Sequence, residues 1–310
     1  MPPNRDSDLD ARSEPELAFK HHHATSLKTL PPRVFECALL FDHLALEDHG
    51  PAPTLSVNDP STDEPWLNPV DDLLKKNASL WTMYIRNEFC RKMAVSKIPI
   101  DPQFRAYAIQ DYVFLWEYVR QVAVRTVAAP TIPELAEHPK EIYKAYGCAI
   151  DWKKTCIDHL NIEESDIEGA KAVKPVKDYL DWMMELGQEG TWLDLHVLIL
   201  PCLQGYYDIA RLIEEEVQEP LNRKFYEYWV KPNIKDTSAK RLREFFGKNI
   251  SWYYQPDNLR RSAYIFSKTI VLEMRILAYF LGLPLPDLPD RVQNLEVCDT
   301  RSETDDRRPR

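Results

Sequence analysis

The chain has 310 residues, 44% of them hydrophobic, with 39 Lys and Arg against 49 Asp and Glu and a net charge of -10. This length and apolar content can bury one substantial core, and the acidic balance, without a basic stripe interleaved with aromatics, argues against nucleic acid as a partner. A polar, acidic start from Met1 to Asp8, and no apolar run of membrane-spanning length, predict a soluble, cytoplasmic protein with no membrane partner.

Residues 1–31 are polar, carry His21, His22 and His23, and lack periodicity, so they read as a disordered tail in which the histidines are incidental. Pro32 to Leu46 holds a short apolar helix, followed by a linker marked by Pro51, Pro53, Pro60 and Pro65. From Val70 the apolar positions recur at helical spacing, and Leu73, Leu74, Leu80, Trp81, Tyr84, Ile85, Phe89 and Met93 mark one long helix ending before Pro99. Further helices are predicted over 104–128, 141–160, 175–187 and 192–217, the last with Pro201 inside it. Two aromatic-rich segments, 220–230 and 239–254, precede a final helix over 258–282, which Pro284, Pro286 and Pro289 stop. Alternating, strand-like stretches are nearly absent, so the fold class is all-α. The organisation expected is an amino-terminal extension over 1–69, a helical domain over 70–282 and a charged tail over 283–310.

The most informative residue is Cys202, next to Pro201 in the apolar run from Leu195 to Tyr207. A proline in a helix interior removes a backbone donor and crowds the carbonyl four residues back, so the helix is expected to bend or open at the cysteine. The thiol would then face whatever the concave side encloses, with Tyr206 one turn on along the same face. Cys202 is therefore either a nucleophilic or ligand-sensing thiol or a buried structural one beside a tolerated kink. As a nucleophile, it is expected to be alkylated ahead of the other five cysteines, 37, 90, 148, 156 and 298.

Two carboxylates also lie on apolar helix faces. Asp111 has Tyr107, Ala108, Phe114 and Leu115 at its i±3 and i±4 positions; Glu273 shares its face with Ile270, Ile276 and Leu277, while Lys268 and Arg275 mark a wetter side. Such carboxylates must be paired, hydrogen-bonded or protonated. Together with Tyr179 and Tyr206 they describe a polar pocket inside a helical bundle, although each has a structural reading of its own. The cysteines form no Cys-x-x-Cys pair, so reduced thiols are expected rather than zinc or disulfides. Eight glycines and no glycine-rich fingerprint disfavour a phosphate-cradling fold. Ala149 and Lys153 stand where a di-iron site would want ligands, and Asp194 and His196, two apart, do not share a face, so neither metal nor cofactor is expected.

The run Phe89, Pro99-Ile100-Asp101, Phe104, Tyr107 and Gln110-Asp111 resembles the amino-terminal motif of the TenA family, also called thiaminase II or aminopyrimidine aminohydrolase. Leu198 to Tyr206, centred on Pro201-Cys202, is similar to that family's nucleophile helix. Tyr179 stands 23 residues before Cys202 with Glu189-Gly190-Thr191 between, and Glu273 and Tyr279 resemble the last helix. The likeness spans roughly 70–282. It implies a heme-oxygenase-like multihelical bundle without haem, a small-molecule pocket for an aminopyrimidine, and a homo-oligomer, dimer or tetramer. By position, Cys202 would add to the pyrimidine ring, Glu273 would protonate a ring nitrogen, and Asp111 would hold the exocyclic amine. Tyr206 and Tyr179 would hydrogen-bond and stack, with Tyr107, Phe114 and Ile276 completing the pocket; water would then displace the enzyme in net C–N hydrolysis. Three positions depart from the pattern: Phe114 where hydrolytic members tend to carry tyrosine, Asn233 near an expected tyrosine, and Ile276 where an aromatic is usual. Three functions follow: a C–N hydrolase of thiamine salvage, a tailoring enzyme using the same pocket on another small molecule, and a non-catalytic ligand-binding protein.

Overall fold

The computed structural model describes residues 67–217 and 219–288, from the last residues of the amino-terminal extension through the helical domain to the start of the tail. The short helix expected over 32–46 lies outside them. Where one long helix is expected from Val70, there are three: α1 (Pro69–Lys76), α2 (Ala78–Ile85) and α3 (Glu88–Val95). Two asparagines cut the run. The Asn77 side chain donates to the Leu73 carbonyl, whereas the Asn87 amide donates to the Tyr84 carbonyl and accepts from the Cys90 N–H, closing one helix and capping the next.

Asp101 caps α4 (Pro102–Val127) through the Gln103 N–H, with proline at the first helical position. After α4 come α5 (Ile132–Glu137), α6 (Pro139–Asp158), α7 (Glu164–Glu168) and α8 (Lys174–Glu189). The two short ones, α5 and α7, have too few turns to leave a periodic signal. A two-residue turn leads to α9 (Trp192–Glu216), which opens on a capping box between Thr191 and Asp194. Arg261 completes that corner, pairing with the buried Asp194 at 2.7 Å. The first aromatic segment forms α10 (Arg223–Phe225), a π-helical turn over Tyr226–Val230, and α11 (Lys231–Asn233). The second forms α12 (Thr237–Lys248) and α13 (Ile250–Tyr253), and α14 (Pro256–Leu281) ends at Gly282, whose left-handed φ of 68° suits glycine.

Contacts fix the helix directions. Gln110 meets Val173 and Phe114 meets Tyr179, so α4 and α8 run the same way. Asp194 meets Arg261 and Tyr206 meets Glu273, so α9 and α14 are parallel to each other. Gln121 meets Leu195 and Tyr107 meets Tyr206, so the second pair opposes the first. Asp111, Tyr179, Tyr206 and Glu273 consequently sit at one level of the bundle.

α9 is its central helix, with Leu193 to Leu200 buried without a break. It runs through Pro201 as one helix, and the fully buried Tyr84 of α2 donates to the Pro201 carbonyl at 3.3 Å. The two helices meet there because Gly205 has no side chain: a Cβ on it would stand 2.2 Å from Tyr84 Cε1. Gly205→Ala is therefore expected to cost about 2 kcal/mol or more of stability, since a buried ring cannot move aside without overpacking its neighbours. Urea unfolding followed by tryptophan fluorescence would measure it; an unchanged midpoint would show that Tyr84 has room to move.

The expectation that Lys268 and Arg275 mark a wet face is corrected by their contacts. The Lys268 ammonium lies over the Trp182 ring, 3.4 Å from its centre, and Arg275 faces Asp178 at 3.5 Å and donates to the Pro286 carbonyl. α8 and the segment after Gly282 cover this side of α14. No helix among the described residues is long and apolar enough to cross a membrane.

Candidate active site

Four helices converge at that level. α4 presents Tyr107, Gln110, Asp111 and Phe114 along one face, α8 presents Val176, α9 presents Tyr206, and α14 presents Glu273 and Ile276. They line a small cavity with an accessible volume of about 10 Å³, room for roughly one water molecule, so a ring would enter only as the lining side chains move apart.

Glu273 is 1% exposed. Tyr206 donates to its Oε2 at 3.3 Å, while Oε1 is buried and makes no close hydrogen bond among the described residues, the Tyr179 phenol acting on the carboxyl from a looser contact. Burial pushes the carboxyl up to about 8; the phenols of Tyr179 and Tyr206 pull against this, and the Asp111 charge adds to it. Tyr179 thus acts on Glu273 from α8, buried against Phe114 with ring centres 5.1 Å apart. Asp111 is likewise raised by burial, to about 7, against the lowering effect of the Tyr107 hydroxyl, which donates to Oδ1 at 3.4 Å. Near neutrality the two inward acids are both poised to carry or release a proton.

Cys202 lies one turn before Tyr206 and is partly exposed, though outside the immediate lining of the cavity. Burial, then Glu273 and then Asp111, raise its thiol well above the usual range. A raised thiol works against the preference for alkylation expected of Cys202. Among the described cysteines Cys90 and Cys156 are buried and Cys148 is exposed, so a plain alkylating agent should meet Cys148 first. Asn233, on α11, donates to the Trp229 carbonyl.

Three residues had no role in the site assigned to them from sequence. Trp229, in the π-helical turn, donates to the Tyr107 hydroxyl at 3.2 Å and packs on Tyr206 at 5.4 Å. Only the aromatic density of 220–230 hinted at it, because a π turn shifts the register by which helical faces are read. Gln110 lines the cavity, but both ends of its amide are used: it donates to the Lys171 carbonyl and accepts from the Val173 N–H, each at 2.9 Å, holding the loop before α8. Tyr84 supports the Cys202 turn from below.

Asp194 and His196 are structural. Asp194 serves the cap and Arg261; His196 is buried, stacks on Phe245 at 3.6 Å and donates from Nδ1 to the Trp192 carbonyl, and burial followed by Arg125 pushes its pKa well below the usual value. Among the described residues no three His, Cys, Asp or Glu side chains are grouped to hold a metal ion.

Residues 74–278 match the sequence model of the TENA/THI-4/PQQC family. An aminopyrimidine aminohydrolase of Helicobacter pylori is 27% identical over 163 residues, 52% of this chain and 74% of that protein. A TenA homologue from P. horikoshii OT3 superposes with a TM-score of 0.62 at 19% identity, covering 70% of this chain and 99% of that one. A domain from Shewanella denitrificans OS217 with a heme oxygenase-like fold superposes with a TM-score of 0.53 at 12% identity, over 69% of this chain and 92% of that one. The all-α bundle is thus of the heme-oxygenase-like kind.

Proposed function

Because the chain belongs to the TENA/THI-4/PQQC family, we propose that it hydrolyses a C–N bond of an aminopyrimidine, as an enzyme of thiamine salvage. Cys202 is the nucleophile, Glu273 the proton donor to a ring nitrogen, and Asp111 the acceptor for the exocyclic amine. Tyr179, Tyr206 and Tyr107 hydrogen-bond and pack around them, and Phe114 and Ile276 form apolar walls. Glu273 is the observation that carries this function: a buried carboxyl on the cavity wall, protonated near neutrality, with one oxygen in no close hydrogen bond among the described residues.

The steps suit these groups. Sulfur bonds to a ring carbon as the ring nitrogen takes the Glu273 proton, so negative charge need not build up on the ring. The thiol passes its own proton to the Asp111 carboxylate as it adds, in keeping with a resting thiol rather than a thiolate, and Asp111 hands that proton to the departing amine. The amine then leaves with a proton, water takes its place, and the thiol is released.

Purified protein is expected to release hydroxymethyl pyrimidine from the aminomethyl analogue and from thiamine, slowly. Phe114 faces the cavity without a hydroxyl, and an unpaired polar group on the substrate costs about 1–3 kcal/mol. Phe114→Tyr should raise turnover about tenfold. If the wild type binds neither compound and the added hydroxyl changes nothing, the pocket serves another substrate.

A further inference from the structure

Between Asp111 and Glu273 the hydrogen bonds are continuous. Asp111 Oδ1 meets the Tyr107 hydroxyl at 3.4 Å, Tyr107 meets the Tyr206 hydroxyl at 3.3 Å, and Tyr206 meets Glu273 Oε2 at 3.3 Å. We propose that Tyr107 and Tyr206 form a proton relay through which the two carboxyls share a single proton.

Counting donors leads to this. The Tyr107 oxygen has one O–H and two lone pairs, and Trp229, a donor only, occupies one lone pair from 3.2 Å. One O–H and one lone pair remain, for Asp111 and Tyr206. If Tyr107 donates to Asp111, it must accept from Tyr206, which must in turn accept from Glu273, so the proton is on Glu273. If Tyr107 donates to Tyr206, then Tyr206 donates to Glu273 and Asp111 must donate to Tyr107, so the proton is on Asp111. With both acids ionised, each phenol donates outward and the Tyr107–Tyr206 contact holds no proton. With both protonated, the Tyr206 hydroxyl proton has no acceptor. Only the singly protonated pair makes all three bonds and leaves no O–H of the chain without an acceptor.

Packing holds the chain in place. Tyr107 is buried between Phe89 and Phe280, with ring centres 5.1 and 5.8 Å away, and Tyr206 lies on Trp229. The titratable groups acting on the pair from the other helices are Tyr84 of α2, Cys90 of α3, Cys156 of α6, Tyr179 of α8 and Cys202 of α9. None of these is a cation, so a shared proton is what offsets the charge.

Transfer along the chain is balanced. Asp111 passes its proton to Tyr107, Tyr107 passes its own to Tyr206, and Tyr206 passes its own to Glu273; both phenols end neutral, Asp111 becomes a carboxylate and Glu273 a carboxylic acid. Resting on the hydrolase function proposed above, this is how Glu273 is reloaded after giving its proton to the ring.

Infrared titration of the free protein, with the carboxyl bands assigned by Glu273→Gln and Asp111→Asn, tests the relay without any substrate. Tyr107→Phe leaves every contact of Glu273 in place but cuts the chain. It is expected to lower the Glu273 titration by about one unit, because Tyr206 then donates to it without competition. If Tyr107→Phe does not fold, Tyr206→Phe does the same from the other side, and Asp111, which Tyr206 does not touch, is the group to follow. A far carboxyl whose titration does not move in the folded variant would overturn the relay. Hydrolysis of the aminopyrimidine is read separately: a relay without turnover would count against the proposed function only.

Discussion

Cys202→Ser is expected to abolish turnover, lowering kcat by about 10³-fold or more, since removal of a nucleophile costs up to ~10⁶ in well-studied hydrolases. A hydroxyl fills the space of the thiol and keeps a hydrogen-bonding group, but it gives up its proton far less readily and attacks a ring carbon poorly. The burial and neighbouring carboxylates that hold the thiol protonated would oppose an alkoxide still more. Because Cys202 is partly exposed and packs beside Pro201 in an unbroken helix, the variant should unfold at a urea concentration close to that of the wild type. Rapid-quench kinetics and intact-mass analysis with the aminomethyl pyrimidine check both points, the wild type accumulating a covalent adduct that the variant lacks. Full activity in Cys202→Ser would remove the thiol from the chemistry and leave it as the structural residue that its proline neighbour also permits.

What the sequence made legible was whatever is written in helical period. Apolar positions three and four apart located α4, α6, α8, α9 and α14 within a few residues, and the same rule exposed Asp111 and Glu273 as acids on apolar faces, where both line the cavity. Features set by single hydrogen bonds were not legible. Asn77 and Asn87 divide the first helical region because their amides bond local backbone, and asparagine within a periodic run carries no such mark beforehand. Trp229 reaches Tyr107 only because a π turn redirects it. Lys268 and Arg275 were read as solvated from spacing on one helix, which says nothing of the aromatic ring and backbone carbonyl that other segments bring to them. The thiol's reluctance to ionise was hidden for a similar reason, as it follows first from burial by the surrounding helices and then from Glu273 and Asp111 on two of them.

Glu273→Gln is expected to slow the chemical step by about 10²-fold or more and to stabilise the protein at alkaline pH, a combination that packing loss alone does not produce. Glutamine keeps the shape and can still accept from Tyr206, but it has no proton to transfer. The stability effect follows from burial. The carboxyl titrates near 4.5 in the unfolded chain and at about 8 when folded, so the folded state holds the proton more tightly. Its contribution is fully present below pH ~4.5 and is lost as pH rises toward 8, at about 1.4 kcal/mol per pH unit for one proton. Asp111, raised from 3.8 to about 7, adds to the same trend. Wild-type stability should therefore decline between pH 5 and pH 8, and Glu273→Gln should remove a large part of that decline, leaving the variant the more stable protein at pH 8. Urea unfolding at the two pH values, beside single-turnover rates, measures both effects. If the variant were instead less stable at every pH with unchanged activity per folded molecule, Glu273 would be a structural partner of Tyr206, and the proton donated to the ring would have to come from elsewhere in the cavity.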